Sequence, residues 1–107
     1  MARVHLSNHS PLWKWKFLKE KVLLKTLLRG QVLEIQHFGS TSIPGMIAKP
    51  IIDIQVGLQD FEQAFSCVDR IARLGYAYEG ESGELHQYSF TKGDPVGYHL
   101  YLVDRSG

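Results

Sequence analysis

Little in this chain is present in excess, and its shortages exclude more than they suggest. Among 107 residues there is one cysteine, Cys67. That excludes an internal disulfide and a cysteine-rich zinc site, and it fits a reducing cytoplasm. No apolar stretch approaches the roughly 18 residues a membrane span requires, so no membrane partner is expected. The N-terminus lacks an apolar core followed by a small-residue cleavage site, so no secretory signal is expected in this stretch. The formal net charge is +1, which gives no global attraction to nucleic acid or acidic membranes. Internal repeats and low-complexity segments are absent. What remains is an ordinary globular composition, 44% apolar and 21% charged. A chain of this length makes one domain with one modest core, burying roughly 60–70% of its unfolded surface.

Residues 1–9 are polar and read as a loose N-terminus, with the domain spanning 10–107. Ser10-Pro11 is a helix start: a capping hydroxyl, then a proline whose missing N–H costs nothing there. The helix runs from Leu12 to Leu28, with Trp13, Phe17, Leu24, Leu27 and Leu28 on one broad apolar side, and Gly30 ends it. Val32 to Phe38 reads as a strand, with Leu33, Ile35 and His37 on one face and Glu34 and Gln36 on the other. Residues 39–49 form a loop rich in Gly, Ser, Thr and Pro. Pro50 to Leu58 is almost continuously apolar, which predicts a central strand. Its Ile52, Ile54, Val56 and Leu58 point one way, and Ile51, Asp53, Gln55 and Gly57 the other. Asp60 to Gln63 resembles a capping box for a helix reaching Leu74, with Phe61, Phe65, Val68, Ile71, Ala72 and Leu74 at helical spacing. Gly75 stops that helix. Tyr76–Glu79 reads as a short strand, and 79–84 as a flexible acidic loop. Leu85–Thr91 and Gly97–Val103 read as a hairpin joined through Lys92-Gly93-Asp94-Pro95. The order predicts an α+β fold: a mixed, mostly antiparallel sheet with helices packed on one face.

The run from His37 to Val56 carries the chemistry. A carboxylate in an apolar strand is costly to bury unless paired. Asp53 is therefore either a metal-ligand or general-base position, or a structural acid paired with Lys49 or capping the turn at Gly39-Ser40. Gly39-Ser40-Thr41-Ser42 offers backbone N–H groups and three hydroxyls in one tight turn, a nest suited to phosphate. It lacks the Gly-Lys-Ser/Thr ending of a Walker motif, and a plain turn is the simpler reading. Lys49 suits a phosphate, a partnership with Asp53, or solvent. If the last strand neighbours the second, His99 and Tyr101 join Asp53 and Gln55 in one polar patch, to which His86 and Tyr88 add from the penultimate strand. His37 reads as a satisfied core histidine. Lysines 14, 16, 19, 21 and 25 lie around much of the first helix, so a solvated face is favoured over a nucleic-acid contact. Trp13, Trp15 and Phe17 read as core or dimer-interface residues. Cys67, mid-helix, reads as buried and inert.

The stretch EIQHFGSTSIPGMIAKPIIDIQVGL is very similar to the signature of the GrpB family, and GYAYEGESGELHQYSFTKG and the ending YHLYLV also resemble that family. The resemblance runs from the first helix to the last residue. It implies a nucleotidyltransferase-like core, a cytoplasmic protein, and in some bacteria a fusion of such a domain to dephospho-CoA kinase. It implies a nucleotide or phosphorylated small-molecule ligand, with metal-dependent nucleotidyl transfer as the activity. The positions matching the family's Gly-Ser turn and strand acid are Gly39, Ser40 and Asp53. On this reading Gly39 to Ser42 and Lys49 hold phosphates, Asp53 and Gln55 face Mg²⁺, and Asp53 and His99 are the catalytic pair. Two positions depart from the pattern. The second acid of active nucleotidyltransferases is here the amide Gln55, a much poorer magnesium ligand. In Tyr98-His99-Leu100-Tyr101 a tyrosine stands where a second histidine is expected. Family members also continue into a further helical region, whereas this chain stops at Gly107. An uncovered apolar face would then favour self-association as a homodimer. The alternative function is a non-catalytic accessory domain that stabilises a partner enzyme by packing.

Overall fold

In the computed structural model, which describes residues 6–82 and 87–105, Ser10 opens the first helix as its side chain dictates. Its Oγ accepts the N–H of Leu12 at 3.2 Å, and Pro11 takes the first helical position. Helix α1 spans Pro11–Leu27 and buries Trp13, Phe17, Glu20 and Leu24. These recur at spacings of four, three and four, one face of a 3.6-residue period. Asp60 caps the second helical segment through the N–H of Glu62, but the chain first makes a 3-10 turn at Phe61–Gln63. Helix α2 follows at Ala64–Ala72 and buries Ala64, Cys67 and Ile71. Phe65, expected in the core, is 70% exposed. It is one residue off that stripe, and the stripe is filled by smaller side chains.

Five strands form one sheet: β1 Val32–Phe38, β2 Ile52–Leu58, β3 Ala77–Ser82, β4 Gln87–Lys92 and β5 Tyr98–Asp104. Their spatial order is β1-β2-β5-β4-β3, with β2 and β5 parallel and the other pairs antiparallel. The parallel pair requires a long crossover, which α2, β3 and β4 provide. Central β2 buries Ile52, Ile54, Val56 and Leu58 completely, and β5 does the same with Leu100 and Leu102. Each such aliphatic side chain contributes about 1.5–3 kcal/mol on removal from water. Trp13, Phe17 and Leu24 from α1 and Cys67 and Ile71 from α2 join the same core. Both helices therefore cover one face, and the residues alternating with the buried ones form the opposite, uncovered face.

Several local expectations change. Residues 79–82 continue β3 rather than opening a loop, while Gly83 to His86 lie outside the described residues. Tyr88 pairs with Leu102 and is buried in the core, so it faces the helices and does not join the polar patch. Residues 6–9 are not loose throughout, because Ser7 and Ala48 exchange backbone hydrogen bonds of 2.8 and 3.0 Å. Trp15 is 65% exposed and takes no part in the core.

One buried arrangement has no precedent in the apolar pattern. Glu20, 3% exposed, accepts a hydrogen bond from the Tyr76 hydroxyl at 2.8 Å and pairs with the Lys92 ammonium. Lys92 also lies over the rings of Tyr76 and Tyr98, 4.7 and 4.6 Å from their centroids. Burial, and then the hydrogen bond and charge of Glu20, push the Tyr76 phenol far above its ordinary value. The network ties α1 to the ends of β4 and β5.

Candidate functional site

The uncovered face presents its polar groups because strand alternation leaves them there. Register places Asp53 beside His99 and Gln55 beside Tyr101 across the parallel β2–β5 pair. His99 Nδ1 lies 3.4 Å from Asp53 Oδ1, so the acid found its partner on the neighbouring strand rather than in Lys49. Burial raises the Asp53 carboxyl above its ordinary value, and the charge and hydrogen bond of His99 oppose that shift. The cost of burying this carboxylate exceeds what one imidazole returns.

Gly39 closes the other side of the carboxylate. Its φ is +73° and ψ −171°, a conformation essentially reserved for glycine. A Cβ there would meet Asp53 Oδ2 at 2.5 Å. Glycine is thus required twice, for the turn and for close approach to the acid. Gly57 does similar service further along β2, where the Glu34–Arg105 ion pair of 2.6 Å passes over it.

The loop after Gly39 folds into a 3-10 turn at Ser40–Ser42. The N–H groups of Ser42 and Ile43 close it on the carbonyls of Gly39 and Ser40. The Ser42 hydroxyl donates to the Gly39 carbonyl at 2.6 Å. Thr41 is buried and donates to the Ile51 carbonyl at 3.2 Å. Having spent its one proton, Thr41 Oγ1 accepts from His37 Nε2 at 2.9 Å, which fixes the imidazole tautomer. Burial holds His37 below its ordinary value, and its ring stacks on Phe17 at 4.9 Å. His37 is satisfied by Thr41 but only half-buried, outside the core in which it was expected, and Thr41 and Ser42 are committed to the turn itself.

What the loop leaves free gathers in one pocket of about 350 Å³. Ser40, Lys49, Asp53 and His99 supply its polar wall, and Leu6, Ile47 and Ile51 its apolar one. Among the described residues Lys49 has no ion-pair partner. The apolar wall was not legible beforehand, because the Ser7–Ala48 pairing that carries Leu6 across the pocket leaves no periodic signal. Of the expected phosphate ligands, Ser40, Thr41 and Lys49 line this pocket and Gly39 backs its acid. Ser42 instead lines a different cavity. Gln55 lies in a neighbouring hollow of about 270 Å³ with Phe38, Gln87 and Tyr101. Burial, and then the Asp53 charge, raise the Tyr101 phenol above its ordinary value.

The donor set decides which metal chemistry fits. Among the described residues no group of three or more His, Cys, Asp or Glu side chains could hold a metal ion. Asp53 is the sole carboxylate lining the pocket. One carboxylate suits a Mg²⁺ that takes its other ligands from water and a substrate's phosphates. It does not suit the two-ion arrangement of phosphoryl transfer, for which anionic ligands must clamp both metals.

This sheet, with its strand acid beside a Gly-Ser turn, is a nucleotidyltransferase-like fold. The Cid1 poly(U) polymerase shares it at a TM-score of 0.63 and 14% identity, over 92% of this chain and 33% of that one. Closer likeness comes from the GrpB protein of Enterococcus faecalis, with a TM-score of 0.87 and 32% identity over 94% of this chain and 61% of that structure. The family model for the GrpB protein matches residues 3–107, and the chain belongs to the GrpB family. The glutamate-rich protein GrpB of Alkalihalophilus pseudofirmus is 50% identical over 78 residues, 70% of this chain and 44% of that protein. A protein named dephospho-CoA kinase from Mycolicibacterium paratuberculosis is 29% identical over 111 residues, 92% of this chain and 27% of its own length. The chain spans about half the length of the first two curated relatives it matches, 44% and 53%. No helix among the described residues is long and apolar enough to cross a membrane.

Proposed function

We propose that the pocket at Asp53 binds a phosphorylated small molecule, with a nucleotide as the leading candidate. The observation that carries this reading is the convergence of Ser40, Lys49, Asp53 and His99 on one pocket from a loop and two parallel strands. Ser40 and Lys49, which has no ion-pair partner among the described residues, meet the phosphates. The apolar side at Leu6 and Ile47 accepts the less polar part of the ligand. A Mg²⁺ arriving on those phosphates would be met by Asp53 and would neutralise charge there.

Asp53 has a second task. With its Oδ1 against His99 Nδ1, it orients the imidazole and, in the neutral ring, leaves Nε2 free to accept a proton. That is the arrangement of a general base or acid within reach of a bound ligand. Proton transfer on the bound ligand is the chemistry this pair would serve; with Asp53 the sole carboxylate of the pocket and the amide Gln55 in a neighbouring hollow, the anionic clamp of two-metal nucleotidyl transfer is incomplete. A panel of nucleotides and sugar phosphates in a thermal-shift assay tests the reading. Stabilisation by at least one compound, lost in Lys49→Met, is the expected outcome. No stabilisation by any of them contradicts it.

A second reading has its own observation. Leu12, Trp15 and Val22 on α1 are each more than 60% exposed. Large apolar side chains left in water on one helix favour a packing role toward a second copy or a partner enzyme. Sedimentation of the protein and of Trp15→Lys tests it: a dimer converted to monomer supports the role, and a monomer in both removes self-association.

A further inference from the structure

We propose that the cavity between the start of α1 and the Ser40–Ser42 turn binds a small organic anion, a carboxylate or phosphate monoester carrying a flat apolar body. This cavity, of about 390 Å³, shares Thr41 with the Asp53 pocket but is otherwise lined by different residues, and it does not depend on the reading of that pocket. Its volume falls in the range of small-molecule sites, which are commonly apolar with a few placed polar groups.

The lining sets the ligand's charge. Lys14 and His9 contribute nitrogen groups, and no carboxylate lines the cavity. Among the described residues Lys14 has no ion-pair partner. His9 Nδ1 is buried without a hydrogen-bond partner, the one such side-chain atom among the described residues. A buried polar atom left unsatisfied costs stability, and such an atom calls for a partner. The hydroxyls of Thr41 and Ser42 are committed to the turn, so Lys14 is the charged anchor.

The walls set the ligand's body. Phe17 and His37 stack nearly parallel, with 18° between their planes. Leu18 and Pro44 extend the apolar surface. His37 gives its Nε2 proton to Thr41, and partial burial lowers its pKa and so disfavours its charged form, so it serves as wall and not as anion anchor. An anionic group against Lys14 and a ring against this wall match a cavity basic at one part and apolar at another.

Trp13 reports on the site, since its ring meets His9 edge-on at 5.3 Å. Its fluorescence is read in a Trp15→Phe protein titrated with benzoate, phenyl phosphate, inorganic phosphate and benzyl alcohol. Lys14 and Lys49 are both exposed, so Lys14→Met and Lys49→Met keep the fold, checked by circular dichroism. A saturable response to benzoate or phenyl phosphate is expected, with affinity about tenfold weaker in Lys14→Met and unchanged in Lys49→Met. The stronger of the two aromatic anions assigns carboxylate or phosphate. The proposal is overturned by no saturable response to either, by equal affinity for benzyl alcohol, or by indifference to Lys14→Met. It is also overturned by equal loss in Lys49→Met, which would move the binding to the Asp53 pocket.

Discussion

Replacing Gly39 with alanine sets two separable costs against each other. The backbone at this position holds φ +73° and ψ −171°, and a side chain held there costs about 1–3 kcal/mol. The added Cβ would also sit 2.5 Å from Asp53 Oδ2 and 3.3 Å from its Cγ. The carboxylate's root is fixed because β2 is paired on both sides, and moving its head away from Gly39 would disturb the 3.4 Å approach of Oδ1 to His99 Nδ1. Overpacking of this kind costs about 1–3 kcal/mol more. Gly39→Ala should therefore lose about 2–6 kcal/mol, against the 5–15 kcal/mol typical of a whole domain. Urea unfolding followed by circular dichroism measures it, and a double-mutant cycle separates the parts. In an Asp53→Ala background the clashing oxygen is gone, so Gly39→Ala should cost only the backbone share, with a coupling of about 1–3 kcal/mol. A total cost below about 0.5 kcal/mol, the level of a neutral surface change, would refute the strained turn. An equal cost in both backgrounds would refute the contact between turn and acid.

The buried network predicts a strong effect from a single residue on α1. Glu20→Ala strands Lys92 and the Tyr76 hydroxyl without their partner and should cost about 3 kcal/mol in urea unfolding, whereas Lys19→Ala beside it should be near neutral. Asp53 and His37 predict opposite pH slopes. The raised Asp53 carboxyl means the native state binds its proton more tightly than the unfolded chain, so its contribution to stability falls as pH rises from the unfolded value through the folded one. Asp53→Asn should accordingly fold with at least the wild-type midpoint at neutral pH, and a large loss of midpoint would contradict this. The lowered His37 value means the unfolded chain binds that proton more tightly, so stability falls as pH drops through the ordinary histidine value. Loss of that acid-side slope in a folded His37→Gln protein, read from midpoints between pH 7 and 5, checks it.

The sheet was legible wherever one face is buried. Alternation in Ile52, Ile54, Val56 and Leu58 set the register of β2 and placed Asp53 and Gln55 on its open side, because a one-residue slip would expose every aliphatic. The neighbouring of β2 and β5, on which the Asp53–His99 pair depends, was conditional in the sequence, since strand order depends on tertiary packing. Where the pattern misled, a local rule lost to packing. Phe65 fits helical spacing, yet Ala64, Cys67 and Ile71 fill the contact instead. Tyr88 shares period-two spacing with polar neighbours, yet its ring is worth more in the core, edge-on to Phe61 at 5.5 Å. Glu20 reads as one charge among many on a basic helix. Only its partners Tyr76 and Lys92, more than 50 residues away in sequence, reveal that it points inward. The turn residues were visible as a group, but not their division of labour: Gly39 against the acid, Thr41 and Ser42 spent on the turn, Ser40 left for a ligand.

The most direct test of the central claim, that the Asp53 pocket receives a phosphorylated ligand, is calorimetric titration with ATP, GTP, CTP and UTP, each with and without Mg²⁺. The wild-type protein and Asp53→Asn are run side by side. Saturable binding of at least one nucleotide is expected, strengthened by Mg²⁺ in the wild type and indifferent to Mg²⁺ in Asp53→Asn. Absence of binding by every nucleotide in both metal conditions would contradict it.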